Sequence, residues 1–277
     1  MIDAHFHIWQ LSRGDYGWLT PQAGPIYRDF TLQDWRRAHQ GCGITGGILV
    51  QAAPTPAETA FLLQQAHQAE EVLGVVGWVD MPSEAAPQRI AALAGDTRLR
   101  GLRPMLQDIA DADWILQPAL DPAFRAMLAH DLTFDALVRP VHLTRIALLA
   151  TRYPDLRIVL DHGAKPDIAS RQWTDWAAGI ERLALHPNVY CKLSGLWTEC
   201  AAGAPVTDTA MYGRHLLACF GAPRLLWGSD WPVLELVGSY ASWHGAASSL
   251  CAPAQVPQVF GDAARRAYHL QPPSGAT

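Results

Sequence analysis

The sequence predicts an α/β fold, a single (β/α)8 TIM barrel, and three observations carry that prediction. Eight short apolar or β-branched segments, each ending in polar or small residues, recur along the 277 residues. Between most of them lies a stretch able to form a helix, and strand–helix alternation repeated this often implies a parallel sheet closed into a barrel. No Gly-rich phosphate turn follows the first segment, as the alternative, an open doubly wound sheet, would require. No linker or internal repeat divides the chain, so residues 1–277 are expected as one domain.

The expected strands are residues 2–8, 47–52, 73–79, 99–105, 132–138, 157–162, 189–194 and 224–229. Helices are expected over 57–72, 83–94, 122–130, 142–153 and 173–185. In the last of these, Trp173, Trp176, Ala177, Ile180, Leu183 and Ala184 recur at the spacing of an amphipathic helix. Thr31 precedes LQDWRRAHQ as an N-cap, Thr55-Pro56 opens the next helix, and Pro154 stops a helix before the sixth strand. Three connections, 9–31, 107–118 and 196–205, are longer than barrel loops need to be. Each follows a strand, which places it at the C-terminal mouth where barrel active sites lie.

Composition narrows the function. Hydrophobic residues make up 49% and charged ones 17%, a globular and not a disordered balance. A net charge of −5 gives no basic footprint and argues against a nucleic-acid partner. No apolar run is long enough to span a bilayer, and the chain enters MIDAHFHIW without a leader-like segment. Five scattered cysteines without CxxC spacing read as thiols in a reducing compartment, so a cytoplasmic protein is expected. The eleven tryptophans mostly suit core packing, with some left to stack on a ligand ring.

His5 and His7 stand two apart on the first strand, so both face one side, the barrel interior near its mouth. Converging imidazoles suit a divalent metal such as zinc, although a lone His-x-His pair says little. Asp3 shares their parity and is expected to orient one of them or to cap the strand. In VLDHGAKP, His162 ends the sixth strand, and Lys165 in the loop above reaches into the mouth or stays solvated. In LLWGSDWPV, Asp230 ends the eighth strand beside the first, where a carboxylate can bind metal or take a proton from water. Its bland alternative is an Asx-turn. Trp231 is a candidate wall for a ring-shaped substrate. Asp135, in mid-strand, must be paired, with Arg103 the suggested partner. Lys192 and Ser194 share a strand face and either line the pocket or satisfy polar groups in the barrel. The remaining histidines, His142 among them, receive no role. Three histidines and an aspartate from the ends of strands one, six and eight form a set where each part alone was weak.

The segments DAHFHIW, RGDYGWL, LVQAAPT, GLRPMLQ, LDHGAKP, KLSGL and GSDWP, spread over nearly the whole chain, resemble the amidohydrolase superfamily. The resemblance is to its amidohydrolase 2 type, in the branch of sugar lactonases and 2-pyrone-4,6-dicarboxylate lactonases. It implies that His5, His7 and His162 bind metal or orient water, with Asp230 as a further metal ligand and the general base. It also implies that Arg103 and Lys165 hold substrate oxygens and that Gln51 faces the substrate. No lysine stands near the fourth strand where a carboxylated bridging ligand would sit, so one divalent metal, zinc in the first place, or none is expected. Trp18, Tyr27 and Trp231 are expected as aromatic walls for a sugar ring. The expected activity is hydrolysis of a sugar lactone such as L-fuconolactone, a small-molecule substrate, by a chain free to form a homo-oligomer. The alternatives are a pyrone-dicarboxylate lactonase, a metal-dependent decarboxylase of an aromatic acid, and a non-catalytic binding barrel.

Overall fold

Eight parallel strands pair in chain order: Ile2–Phe6 (β1), Gly46–Val50 (β2), Val72–Gly77 (β3), Leu99–Leu102 (β4), Thr133–Ala136 (β5), Ile158–Leu160 (β6), Val189–Leu193 (β7) and Leu225–Trp227 (β8). The computed structural model describes residues 1–201, 203 and 208–270. The helices that cover the strands are Leu32–Ala38 (α1), Pro56–His67 (α2), Ala86–Ala94 (α3), Asp121–Ala129 (α4), Leu143–Arg152 (α5), Thr174–Ala184 (α6), Thr209–Arg224 (α7) and Tyr240–Ser249 (α8). The expected TIM barrel is therefore the observed fold. Of the expected long loop 196–205, Ala202, Ala204 and Pro205 lie outside the described residues, as do residues 271–277.

Every expected strand is present, but most end earlier than the apolar pattern suggested. His7, Gln51, Arg103, His162, Ser194 and Ser229 lie just past the strand ends; Gln51 N still donates to Val76 O and Arg103 N to Gly77 O, while the side chains turn to partners at the mouth, Gln51 with Arg103, His162 with Ser194 and Ser229 with Asp3. Helix starts follow their caps. Thr31 Oγ1 accepts from Asp34 N while Asp34 Oδ2 accepts from Thr31 N, a reciprocal capping box. Thr55 Oγ1 accepts from Glu58 N, with Pro56 as the first helical residue.

The barrel closes through the extension of β8. Asp230 N donates to His5 O at 2.8 Å and His7 N to Trp231 O at 2.7 Å. This approach needs Gly228, where a Cβ would stand 2.7 Å from His5 Cβ. Below, the short helix Ala263–Ala267 (α9) and Tyr268 plug the barrel floor against Ile2, Ala4, Ile48 and Val50. None of the five cysteines is in a disulfide. Among the described residues no helix is long and apolar enough to cross a membrane.

One local irregularity decides what β1 presents. Asp3 pairs with Gly47 and Phe6 with Leu49, so three steps along β1 match two along β2, a β-bulge. The bulge turns both Ala4 and His5 inward and leaves Asp3 facing the outer helices. Asp3 therefore does not share the histidines' side, contrary to strict alternation. Its carboxylate accepts from Trp35 Nε1, Tyr240 OH, and both the main chain and hydroxyl of Ser229, and so ties β1 to the turn before Asp230.

Candidate active site

At the mouth, four side chains from strands one, six and eight converge. His5 Nε2 lies 3.1 Å from His7 Nε2, and Asp230 Oδ1 lies 3.6, 3.4 and 3.8 Å from Nε2 of His5, His7 and His162. All four are at most 5% exposed. His7 donates from Nδ1 to Val50 O at 2.7 Å, which leaves its Nε2 lone pair facing the centre. His162 Nδ1 meets Ser194 Oγ at 2.8 Å, which sets the ring's orientation.

The backbone that carries two of these groups is strained. His162, Ala164 and Lys165 all have positive φ, 53°, 62° and 48°, as does Asp230 at 57°. Non-glycine residues held there cost on the order of 1–3 kcal/mol each and collect at functional sites. The turn is held in place from the loop after β7, where Gly195 at φ 61° lies against the His162 ring. A Cβ on Gly195 would come within 2.5 Å of His162 Nδ1. Gly195→Ala should therefore displace the imidazole and lower kcat by about tenfold or more for a shift of order 1 Å. Alanine at this φ also carries left-handed strain of order 1–3 kcal/mol, so the melting temperature should fall by several degrees, and steady-state rates taken below the melt beside a thermal melt check both effects.

Under the four groups lies a buried ionic layer. Lys192 Nζ is 2.6 Å from Asp135 Oδ2, 2.8 Å from Asp161 Oδ1 and 3.1 Å from His5 Nδ1. Asp161 Oδ2 accepts from Arg103 Nη1 at 3.0 Å. Asp135 is therefore paired, but with Lys192 and the Tyr268 hydroxyl, because Arg103 is drawn to Asp161. Burial works against the charge on Asp161, yet Lys192, His5 and Arg103 together hold its carboxyl well below the usual carboxylate range. Burial alone would also raise Asp230, but the imidazoles of His162, His7 and His5 bring its carboxyl below that range. Burial likewise lowers His162 to about 4, so it is neutral near pH 7.

Above the centre opens a cavity of about 300 Å³, lined by His7, Trp18, Ala52, Arg103, Met105, Gln107, Asp108, Leu137, His162, Lys165, Asp230 and Val233. Lys165 lies on this wall with Nζ 3.4 Å from Glu199 Oε1. Gln51 is buried beneath the wall, where its side-chain oxygen accepts from Nε and Nη2 of Arg103. It positions Arg103 and does not face the cavity. Trp231, expected as a wall, is 1% exposed, its indole N–H donating to Glu235 Oε1 and its ring packed on Phe30. The left-handed backbone at Asp230 sends the next side chain away from the mouth. Tyr27 is exposed and outside the lining residues. Trp18 stands among the residues that line the cavity.

Sequence reasoning missed Asp161 as a partner of both His5 and Arg103. The signal was a charged residue inside an apolar strand, as it also was for Lys192 in VYCKL.

The amidohydrolase family profile matches residues 2–270. The chain is 47% identical to an L-fucono-1,5-lactonase of Burkholderia ambifaria, over 99% of this chain and 97% of that one. It is 34% identical to an L-fucono-1,5-lactonase of Burkholderia multivorans, over 99% and 98%. A crystal structure of a Burkholderia multivorans amidohydrolase with bound zinc superposes with a TM-score of 0.91 at 32% identity, covering 98% of this chain and 99% of the other. With the fold, the matched span and these identities in agreement, the chain belongs to the amidohydrolase family.

Proposed function

We propose that this chain is a lactonase that adds water to the ester of a sugar lactone such as L-fucono-1,5-lactone, releasing the open-chain aldonic acid. The observation that carries the reading is the convergence of Asp230 Oδ1 with three imidazole Nε2 atoms at the floor of the cavity. The strong identity to two lactonases over the whole chain supports the choice of substrate.

Three of these groups, His5, His7 and Asp230, fit a divalent metal. Their separations of 3.1, 3.4 and 3.6 Å bracket the edge of a tetrahedron, roughly 3.4 Å for ligands 2.0–2.1 Å from zinc, and His162 stands 3.8 Å from Asp230. His7 keeps its proton on Nδ1 for Val50, so its Nε2 lone pair faces the centre, while His5 Nδ1 lies 3.1 Å from the Lys192 ammonium and 3.5 Å from Asp161. An imidazole-rich set favours zinc among common divalent ions. When bound, such an ion supplies Lewis-acid polarisation of a carbonyl and a more acidic water.

The chain's own groups supply the proton path. Asp230, held ionised, takes a proton from water as the oxygen attacks the lactone carbonyl carbon. Lys165 and Arg103, on the same wall, donate to the oxygen that gains charge, a contribution that is usually large in acyl transfer. The tetrahedral adduct collapses by breaking its bond to the ring oxygen, and protonated Asp230 returns the proton to that leaving alkoxide.

Charge separates this reading from a pyrone dicarboxylate. Arg103 has five N–H donors, and four are engaged by Gln51 and Asp161. Lys165 is paired with Glu199. Two substrate carboxylates would therefore find few free cationic donors, each worth about tenfold or more when charge-assisted. In a pH-indicator assay we expect kcat/KM for an aldono-1,5-lactone to exceed that for 2-pyrone-4,6-dicarboxylate by about 10–100-fold. The reverse order would transfer the chain to the dicarboxylate, and carbon dioxide release from a salicylate without lactone turnover would make it a decarboxylase.

A further inference from the structure

The segment Arg13–Leu19 (RGDYGWL) is fastened to the start of α2 by a set of bonds that no step of the mechanism uses. Arg13 Nη2 pairs with Asp15 Oδ2 at 2.6 Å, and Asp15 Oδ2 also accepts from Thr55 Oγ1 at 3.0 Å. Tyr16 OH donates to Glu58 Oε2 at 2.9 Å, and Arg13 stands 3.4 Å from the same oxygen. The other carboxylate oxygen, Glu58 Oε1, accepts from Ala52 N at 3.0 Å. The Ala52 carbonyl in turn accepts from Trp18 Nε1 at 2.7 Å.

Glu58 is fully buried, while Thr55 already caps its helix, so the carboxylate is not needed there for α2. A buried carboxylate is costly unless it is well bonded, and these bonds all lead to the loop or to the residue that holds Trp18. The two oxygens grip the loop on one side and the Ala52 peptide on the other. Trp18 itself is 43% exposed, its N–H satisfied by Ala52 and its ring on the cavity wall. Tyr16 and Leu19 on either side are buried, so the loop is pinned around one open aromatic ring.

We propose that Glu58 is a positioning residue for substrate: through Tyr16 and the Ala52 peptide it holds the Trp18 indole at the cavity wall, and so sets affinity for the lactone ring without touching it. The inference rests on the lactonase reading for its substrate. An aromatic face in a fixed place is worth a few-fold to tenfold in affinity.

Four variants test it: Glu58→Gln, Tyr16→Phe, Trp18→Ala and the double variant Glu58→Gln/Trp18→Ala. Glu58→Gln should raise KM about 3–10-fold with kcat within about twofold, and Tyr16→Phe should do the same to a smaller degree. The Tyr16 variant keeps the test alive if Glu58→Gln fails to fold. Because Glu58 acts through Trp18, the double variant should have the KM of Trp18→Ala alone, within about twofold. Amides of residues 14–19 should exchange with deuterium at least about tenfold faster in Glu58→Gln and Tyr16→Phe than in the wild-type chain. An unchanged KM, a fall confined to kcat, factors that multiply in the double variant, or unchanged exchange would each overturn the proposal. The exchange arm needs no substrate. A wild-type chain that opens no lactone would remove the proposed function, and exchange alone would then decide whether Glu58 holds the loop.

Discussion

Asp230→Asn is expected to lower kcat for lactone opening by about 10²–10⁴-fold, the usual loss when a positioned general base is removed. Asparagine has the shape of aspartate and can keep its place beside the three imidazoles, but it cannot take up the proton of water. The wild-type carboxylate is suited to the task because His162, His7 and His5 offset the effect of burial and keep it ionised. Folding should survive, since the β1–β8 closure at this point is made by main-chain bonds and by Asp3, not by the Asp230 side chain. Acid release under saturating lactone, beside a thermal melt, checks both halves. Near-normal turnover in a folded variant would take the proton transfer away from Asp230.

Lys192→Met is expected to give the largest loss of stability. Removing one partner of a buried ion pair leaves an uncompensated charge and costs about 3–5 kcal/mol. Here Asp135 and Asp161, both fully buried, would face each other without the ammonium between them. For a chain of this size the melting temperature should fall on the order of 10 °C. A melt within about 2 °C of wild type, followed by circular dichroism, would show that the layer stabilises the barrel less than its geometry implies.

The fold could be read from the sequence because its signals are local. Apolar runs, Thr31 and Thr55 as caps, and Pro154 as a stop each act within a few residues. The site's ligand-like groups could be read for the same reason, since His5, His7, His162 and Asp230 all fall where an apolar strand ends. What stayed hidden depends on contacts far apart in the chain or on single torsions. The bulge that turns Asp3 outward leaves no mark in the residue types. Lys192 and Asp135 are 57 residues apart, and nothing local says that they meet. Trp231 looked like a wall because it follows Asp230, but a left-handed φ at Asp230 is not announced by Gly-Ser-Asp. Gln51 points at Arg103 because a buried guanidinium needs acceptors, a demand visible only once both are inside.

The pH dependence of kcat/KM for an aldono-1,5-lactone tests the central claim most directly, because it reports which group must give up its proton before water can be activated. Asp230 lies below the usual carboxylate range, and burial holds His162 at about 4. Both are depressed values, so the active, unprotonated forms persist as the pH falls past the range of an ordinary imidazole. The account predicts a rate that holds from neutrality through pH 6.5 and falls only as the pH approaches and passes about 4. An acid limb centred near pH 6.5 that persists unchanged in Asp230→Asn, with a rate near that of the wild-type chain, would contradict the assignment of that role to Asp230.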